Sequence, residues 1–255
     1  MRKIMLVTGG SRGIGAATCL LAAQRGYDVA VNYTRDAQSA GAVVAKVKAA
    51  GGRAIAIKAD VGVEHDIIEM FRTVDRELGP LDCLVNNAGI VDLKSRVSEM
   101  GAARLERMFR INVIGSFLCA REAIKRMSTK EGPAMGAGFG RGGNIVNISS
   151  GAARLGSPGQ YVDYAASKGA IDTFTVGLAR EVATEGIRVN TVRPGITDTE
   201  IHASIGDPGR AQASAHLIPL QRPGKAEEIA EAVLWISSDA ASYTTASTID
   251  CTGGR

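Results

Sequence analysis

The sequence predicts an α/β protein, a doubly wound parallel sheet of about seven strands with helices on both faces. Three observations predict it. Short apolar runs alternate with longer stretches of helical period along the chain, which is the rhythm of βαβ units. A glycine-rich turn falls between the first apolar run and the first helical stretch, where such folds bend a strand into a helix. The length of 255 residues fits one extended core, so a single domain over 1–255 is expected.

The elements follow in order. A strand at 4–7 leads through the glycine turn into a helix at 15–25, then a strand at 29–31 and a helix at 37–50. A strand at 54–57, a helix near 64–78 and a strand at 83–85 come next. One long helical stretch near 102–127 precedes a strand at 145–148. The chain finishes with a helix around 164–183, a strand at 189–192, a helix at 226–237 and a strand near 248–250. Seven strands and at least six helices make a Rossmann-type sheet. Two stretches interrupt the rhythm. The glycine-rich segment 128–143 joins a helix to a strand and reads as a mobile surface loop. Segment 197–224, with Pro208, Pro219 and Pro223, follows a strand's carboxyl end, where ligands of α/β folds bind, and is expected to cover the substrate.

Composition narrows the function classes. Thirty basic and 26 acidic residues are interspersed, and the net charge of +4 comes without a long basic tract, which argues against nucleic acid. No apolar run approaches a membrane span, and residues 1–8 read as a strand rather than a signal peptide, so a cytoplasmic protein is expected. Cys19, Cys83, Cys119 and Cys251 are far apart and in apolar surroundings, as reduced core residues would be. His65, His202 and His216 show no ligand spacing either, and no metal site is expected.

The turn reads Thr8-Gly9-Gly10-Ser11-Arg12-Gly13-Ile14-Gly15. Strand before and helix after give its glycines a task. They allow a tight turn and let backbone approach a pyrophosphate, which the helix N-terminus attracts through free N–H groups and its dipole. Ser11, Arg12 and Ile14 lie in the same loop.

The Gly9-x-x-x-Gly13-x-Gly15 spacing differs from GxGxxG and resembles the TGxxxGxG signature of the short-chain dehydrogenases/reductases. Other motifs follow in that family's order: Asp60-Val61, Asn86-Asn87-Ala88-Gly89, Ile111-Asn112-Val113, Tyr164-Ala165-Ala166-Ser167-Lys168 and Arg193-Pro194-Gly195. The resemblance spans essentially the whole chain. It implies that Asp60 and Val61 contact adenine, that Asn87, Ala88 and Gly89 line the cofactor, and that Lys168 binds the nicotinamide ribose. It also implies that Pro194, Gly195, Ile196 and Thr197 approach the carboxamide, and that Thr199 touches phosphate.

Cofactor choice is read at the end of the second strand, where an acid would bind the adenosine ribose and repel a 2′-phosphate. Here the chain runs Val31-Asn32-Tyr33-Thr34-Arg35, with no acid before Asp36. Tyr33 and Arg35, with Arg12, would face that end of the cofactor, and the two arginines can pair with a 2′-phosphate. NADP(H) is expected in preference to NAD(H).

Tyr164 and Lys168, four apart on a helix, share one face. A free phenol, with a pKa of about 10, needs its anion stabilised before it can exchange protons at neutral pH. The Lys168 ammonium is placed to do this, making Tyr164 the general acid or base. Ser149 and Ser150 end the fifth strand. The family serine stands thirteen residues before the tyrosine, a position that Gly151 occupies here, so one extra residue lies near Gln160-Tyr161-Val162-Asp163. Ser150 is chosen as catalytic, and Ser149 becomes a strand-end residue near the cofactor. Asn112 would be the fourth member, holding a water that links Lys168 to solvent.

Together these residues imply hydride exchange between nicotinamide and the carbonyl or alcohol carbon of a small substrate. Similarity extends both to reductases of 3-oxoacyl thioesters and to sugar dehydrogenases. An NAD-dependent sugar or alcohol dehydrogenase is the alternative enzyme, and a non-catalytic NADP(H)-binding regulator the alternative of another class. Arg96, Arg104, Arg107 and Arg110 are candidates to receive an acidic carrier protein, or a solvated helix face. Family members commonly assemble as homotetramers, which implies an interface that includes residues 249–254.

Overall fold

The computed structural model describes residues 2–201 and 206–255; Met1 and His202 lie outside them. The first half alternates β1 (Lys3–Val7), α1 (Gly13–Gln24), β2 (Tyr27–Tyr33), α2 (Ala37–Ala49), β3 (Ala54–Lys58), α3 (Glu64–Glu77) and β4 (Cys83–Asn86). The second contains α4 (Ala102–Phe109), α5 (Gly115–Met127), β5 (Gly143–Ile148), α6 (Ala152–Leu155), α7 (Val162–Val182) and β6 (Ile187–Pro194). It closes with β7 (Thr197–Asp198), α8 (Arg210–Ala213), β8 (Gly224–Lys225), α9 (Ala226–Ser237) and β9 (Thr248–Cys251).

Seven strands form one parallel sheet in the order β3-β2-β1-β4-β5-β6-β9. The order reverses between β1 and β4, so the connections leaving these two strands diverge and open a crevice at their carboxyl ends. Period-two alternation in β1 assigns each face its core. Ile4 and Leu6 face one layer with Ile67 and Phe71 of α3, Ala123 of α5 and Ala179 of α7. Met5 and Val7 face the other with Cys19 of α1, Val43 of α2 and Val233 of α9. In α3 the buried Ile67, Met70, Phe71 and Val74 repeat at helical spacing, which is why this charged segment folds as a helix.

The structure corrects the sequence reading in one place and adds detail in two. The stretch 102–127 is not one helix: a π-helical turn, Arg110–Ile114, separates α4 from α5. Its wider turn carries Asn112, 1% exposed, into the crevice. Segment 128–143 is fastened down, because Gly140 and Gly142 donate their N–H groups to the carbonyls of Arg126 and Met127 at 2.8 Å each. Segment 197–224 is pinched at its neck by the pairing of β7 with β8, Thr197 opposite Gly224, and carries the short helix α8.

Candidate active site

The crevice begins with the glycine loop. Gly9 and Gly13 have φ of +61° and +51°, a region that costs other residues energy. A side chain at Gly15 would meet the carbonyl of Gly9 and, at 2.6 Å, Nδ2 of Asn87. A side chain on Gly13 would press on Thr199 at 3.3 Å, so Thr199 of the lid sits against the loop. The first N–H groups of α1, including that of Ile14, open toward the space that these glycines keep clear. The loop therefore fits a pyrophosphate.

Sequence reasoning missed the straps that hold this loop. Asn32 accepts from Gly9 N at 3.1 Å and donates to the carbonyls of Ile57 and Ala59 at 3.3 and 3.0 Å, tying loop, β2 and β3 together. Thr8 Oγ1 accepts from the N–H groups of Asn87 and Ala88 at 3.0 Å each, and Asn87 Nδ2 donates to the carbonyls of Thr8 and Gly9. The one signal in the sequence is that Asn32 follows the apolar run Val29-Ala30-Val31, where a buried amide needs partners, but the run does not name them.

At the adenosine end, Asp36 is already engaged. Asp36 caps α2, accepting from Ser39 N at 2.9 Å and Ser39 Oγ at 2.7 Å. These bonds, with a smaller contribution from the Arg12 charge, hold its carboxyl below the ordinary value. Ser11 and Tyr33 are half-buried, and Arg12 and Arg35 are exposed. Asp60 turns its carboxylate back onto Gly62 N at 2.8 Å, leaving Val61 buried beside it.

At the catalytic end, β5 delivers Ser149 and Ser150 to the crevice floor and α7 brings Tyr164 and Lys168 over them. Ser150 Oγ accepts from Ala152 N at 3.1 Å and sits near enough to the Tyr164 phenol to oppose its upward shift. Ser149 is buried and donates to the Lys168 carbonyl at 3.2 Å. Ser149 is thus turned toward the backbone of α7, while the Ser150 hydroxyl faces the Tyr164 side. Lys168 Nζ donates to the Ile148 carbonyl at 2.7 Å and stands 5.8 Å from the centre of the Tyr164 ring.

Burial raises the Tyr164 phenol above its ordinary value, opposed by the Ser150 hydrogen bond and the charge of Arg210. The sequence reading gave that opposing part to Lys168, whose ammonium is turned to the Ile148 carbonyl instead. Burial lowers Lys168 to about 8, and Asp172 acts the other way. Asn112 accepts from Ile90 N at 2.8 Å and donates to Ile90 O at 2.9 Å and Ser167 Oγ at 3.0 Å. It clamps the irregular segment that follows β4; a side chain added at Gly89 there would lie 3.4 Å from both Asn112 Oδ1 and Lys168 Nζ.

The remaining residues close the crevice from the β6 side. Gly151 N donates to the Pro194 carbonyl at 2.7 Å, Gly195 N to Cys251 O at 2.9 Å, and the Ile196 carbonyl accepts from Gly224 N at 2.9 Å. Thr197 is buried at the root of the lid. Of the four arginines considered for an acidic carrier, Arg104 is committed to Asp163 at 2.8 Å, and Arg107 lies 3.7 Å from Asp92. The free cysteines Cys19, Cys83 and Cys119 are buried, and burial raises all three thiols. Cys251 is only half-buried.

Comparison with known proteins agrees with this geometry. A family model described as enoyl-(acyl carrier protein) reductase matches residues 9–255. A protein of Escherichia coli named uncharacterized oxidoreductase YgfF is 54% identical over 252 residues, covering 99% of each chain. A 3-oxoacyl-[acyl-carrier-protein] reductase of Synechocystis is 36% identical over 253 residues, covering 99% of this chain and 96% of that one. Among solved structures, a short-chain dehydrogenase from Burkholderia cenocepacia in complex with NADP superposes with a TM-score of 0.88. It is 34% identical, with 99% of this chain and 97% of that chain covered.

Proposed function

We propose that this chain, which belongs to the short-chain dehydrogenase/reductase family, is an NADP(H)-dependent oxidoreductase interconverting a carbonyl and an alcohol, with Tyr164 as its general acid and base. The observation that carries the reading is the nearness of Ser150, at the carboxyl end of β5, to the Tyr164 phenol, with Lys168 Nζ held 2.7 Å from the Ile148 carbonyl beside them and the glycine loop opening on the same crevice.

When bound, the nicotinamide cofactor supplies or accepts the hydride. Gly9, Gly13, Gly15 and Thr199 hold its phosphates, and Arg12 and Arg35 hold the 2′-phosphate. Asp36 spends its carboxylate oxygens on Ser39 as a helix cap and so is not free to bind the adenosine ribose hydroxyls, and the Burkholderia relative in complex with NADP supports the same choice. Lys168 would bind the nicotinamide ribose, and Asn87, Ala88 and Gly89 would line the cofactor.

In the reducing direction Ser150 Oγ donates to the substrate oxygen and stabilises the charge that develops there. A raised pKa keeps the Tyr164 phenol protonated at neutral pH, so it holds the proton that the oxygen needs. Tyr164 then recovers a proton through Lys168, which at about 8 lies close enough to neutrality to exchange with solvent. Asn112 positions this relay by fixing Ile90 and Ser167. In oxidation the same groups run in reverse.

The subunit also presents an apolar helix face suited to a homotetramer: Ile114 and Phe117 are exposed, and Phe117 stacks 3.7 Å from Phe174. Light scattering on the eluting protein is expected to give four subunits.

The decisive assay follows absorbance at 340 nm with ketones, 3-oxoacyl thioesters and sugars, using both cofactors in both directions. NADPH is expected to outperform NADH, and Tyr164→Phe to bind NADPH normally while losing turnover by about a thousandfold. Better turnover with NADH would overturn the cofactor choice, and near-normal activity in the variant would remove Tyr164 from proton transfer.

A further inference from the structure

The lid sets one cation over the catalytic face. Arg210 opens α8, and its guanidinium carbon stands 4.7 Å from the centre of the Tyr161 ring. Its Nη2 lies 3.4 Å from Gln160 Oε1. Tyr161 and Tyr164 are three residues apart at the start of α7 and so neighbours on its surface. The charge of Arg210 reaches Tyr164.

No carboxylate among the described residues answers this charge. Asp207 pairs with Lys94 at 3.3 Å, Asp163 with Arg104 at 2.8 Å, and Asp198 accepts from Gln212 at 3.3 Å. Residues 202–205, His-Ala-Ser-Ile, carry no acid. Under the guanidinium, Tyr161 is 3% exposed, and its hydroxyl has no hydrogen-bond partner among the described residues. Buried hydroxyls are rarely left without one. Tyr161 also lies in the stretch that holds the extra residue before Tyr164.

We propose that Arg210 is a specificity-determining residue that binds a carboxylate carried by the substrate, a few atoms from the carbon that exchanges hydride. The planar fork of N–H donors suits a carboxylate, and stacking on Tyr161 leaves its edge free to donate. The Tyr161 hydroxyl supplies a further donor. The substrate class is therefore an oxo acid or hydroxy acid. This inference rests on the hydride-transfer reading of the same site and names its substrate.

The test compares oxo acids of increasing chain length with their methyl esters. Wild type is expected to favour the acid at least tenfold in kcat/KM. Arg210→Ala should abolish that preference by raising KM for the acids but not for the esters, and Arg210→Lys should keep part of it. Binding of the same pairs is also read by NADPH fluorescence in Tyr164→Phe, with and without Arg210→Ala, so the decision does not depend on turnover. Equal binding of acid and ester by the Arg210-containing protein overturns the inference, even if neutral ketones are reduced and the hydride-transfer reading stands. Parallel losses on acids and esters in Arg210→Ala, with an unchanged melting temperature, also overturn it by making Arg210 a latch between lid and α7. Acid-selective binding without NADPH oxidation by wild type supports the carboxylate site and counts against the hydride-transfer reading alone.

Discussion

Lys168 Nζ donates a 2.7 Å hydrogen bond to the carbonyl of Ile148, the residue that precedes the serine pair at the end of β5. Helix α7 is thereby stitched to the strand end, and a buried ammonium is held where burial works against its charge.

That burial makes the fold sensitive to pH in a defined direction. Lys168 is lowered to about 8 from 10.5, so between these values the unfolded chain binds the extra proton and stability rises with pH. The penalty is in full force below pH 8 and is removed by about pH 10.5, amounting to on the order of 3 kcal/mol. The difference in melting temperature between Lys168→Met and wild type, followed from pH 7 to 10, is expected to shift in favour of wild type as pH rises. A constant difference would contradict the assignment.

The two serines should separate cleanly. Ser150→Ala removes the hydroxyl paired with Tyr164 and is expected to lower kcat by roughly a hundredfold or more. Ser149→Ala removes a bond to the Lys168 carbonyl and should cost mainly stability, about 1 kcal/mol. Steady-state kinetics alongside thermal denaturation distinguishes the two, and a reversed pattern would make Ser149 the catalytic hydroxyl.

Gly15→Ala tests the phosphate cradle. Its methyl group would meet the Gly9 carbonyl and Asn87 Nδ2 at 2.6 Å, so the loop must shift. A loss of about 1–3 kcal/mol is expected from overpacking, together with weakened NADPH binding. Fluorescence titration showing wild-type affinity would mean that the cofactor does not use this loop.

Cofactor preference should be carried by cations rather than by shape. Arg12→Ala and Arg35→Ala are each expected to raise the KM for NADPH by about tenfold, one charge-assisted hydrogen bond's worth, while leaving NADH unchanged. Equal effects on both cofactors would move these arginines away from the 2′-phosphate.

Much of this site was legible because its chemistry is local. Gly9, Gly13 and Gly15 are set by a turn that must close within a few residues, and Tyr164 with Lys168 by the pitch of one helix. The break at Asn112 was not legible, since a π-turn differs from an α-helix by one residue and is stabilised through the distant Ile90 and Ser167. Asn32 and Thr8 escaped notice as straps for a related reason: their partners lie on other strands.

Sequence alone determined the order of the main strands and helices and the parallel sheet, because hydrophobic periodicity and glycine placement act over short distances. Tertiary structure decided which carbonyl holds Lys168 and where Arg210 comes to rest. Those outcomes depend on how α7 and the lid pack against the sheet. The physical reason is that packing joins residues far apart in the chain, and burial then decides which charges and hydroxyls find partners.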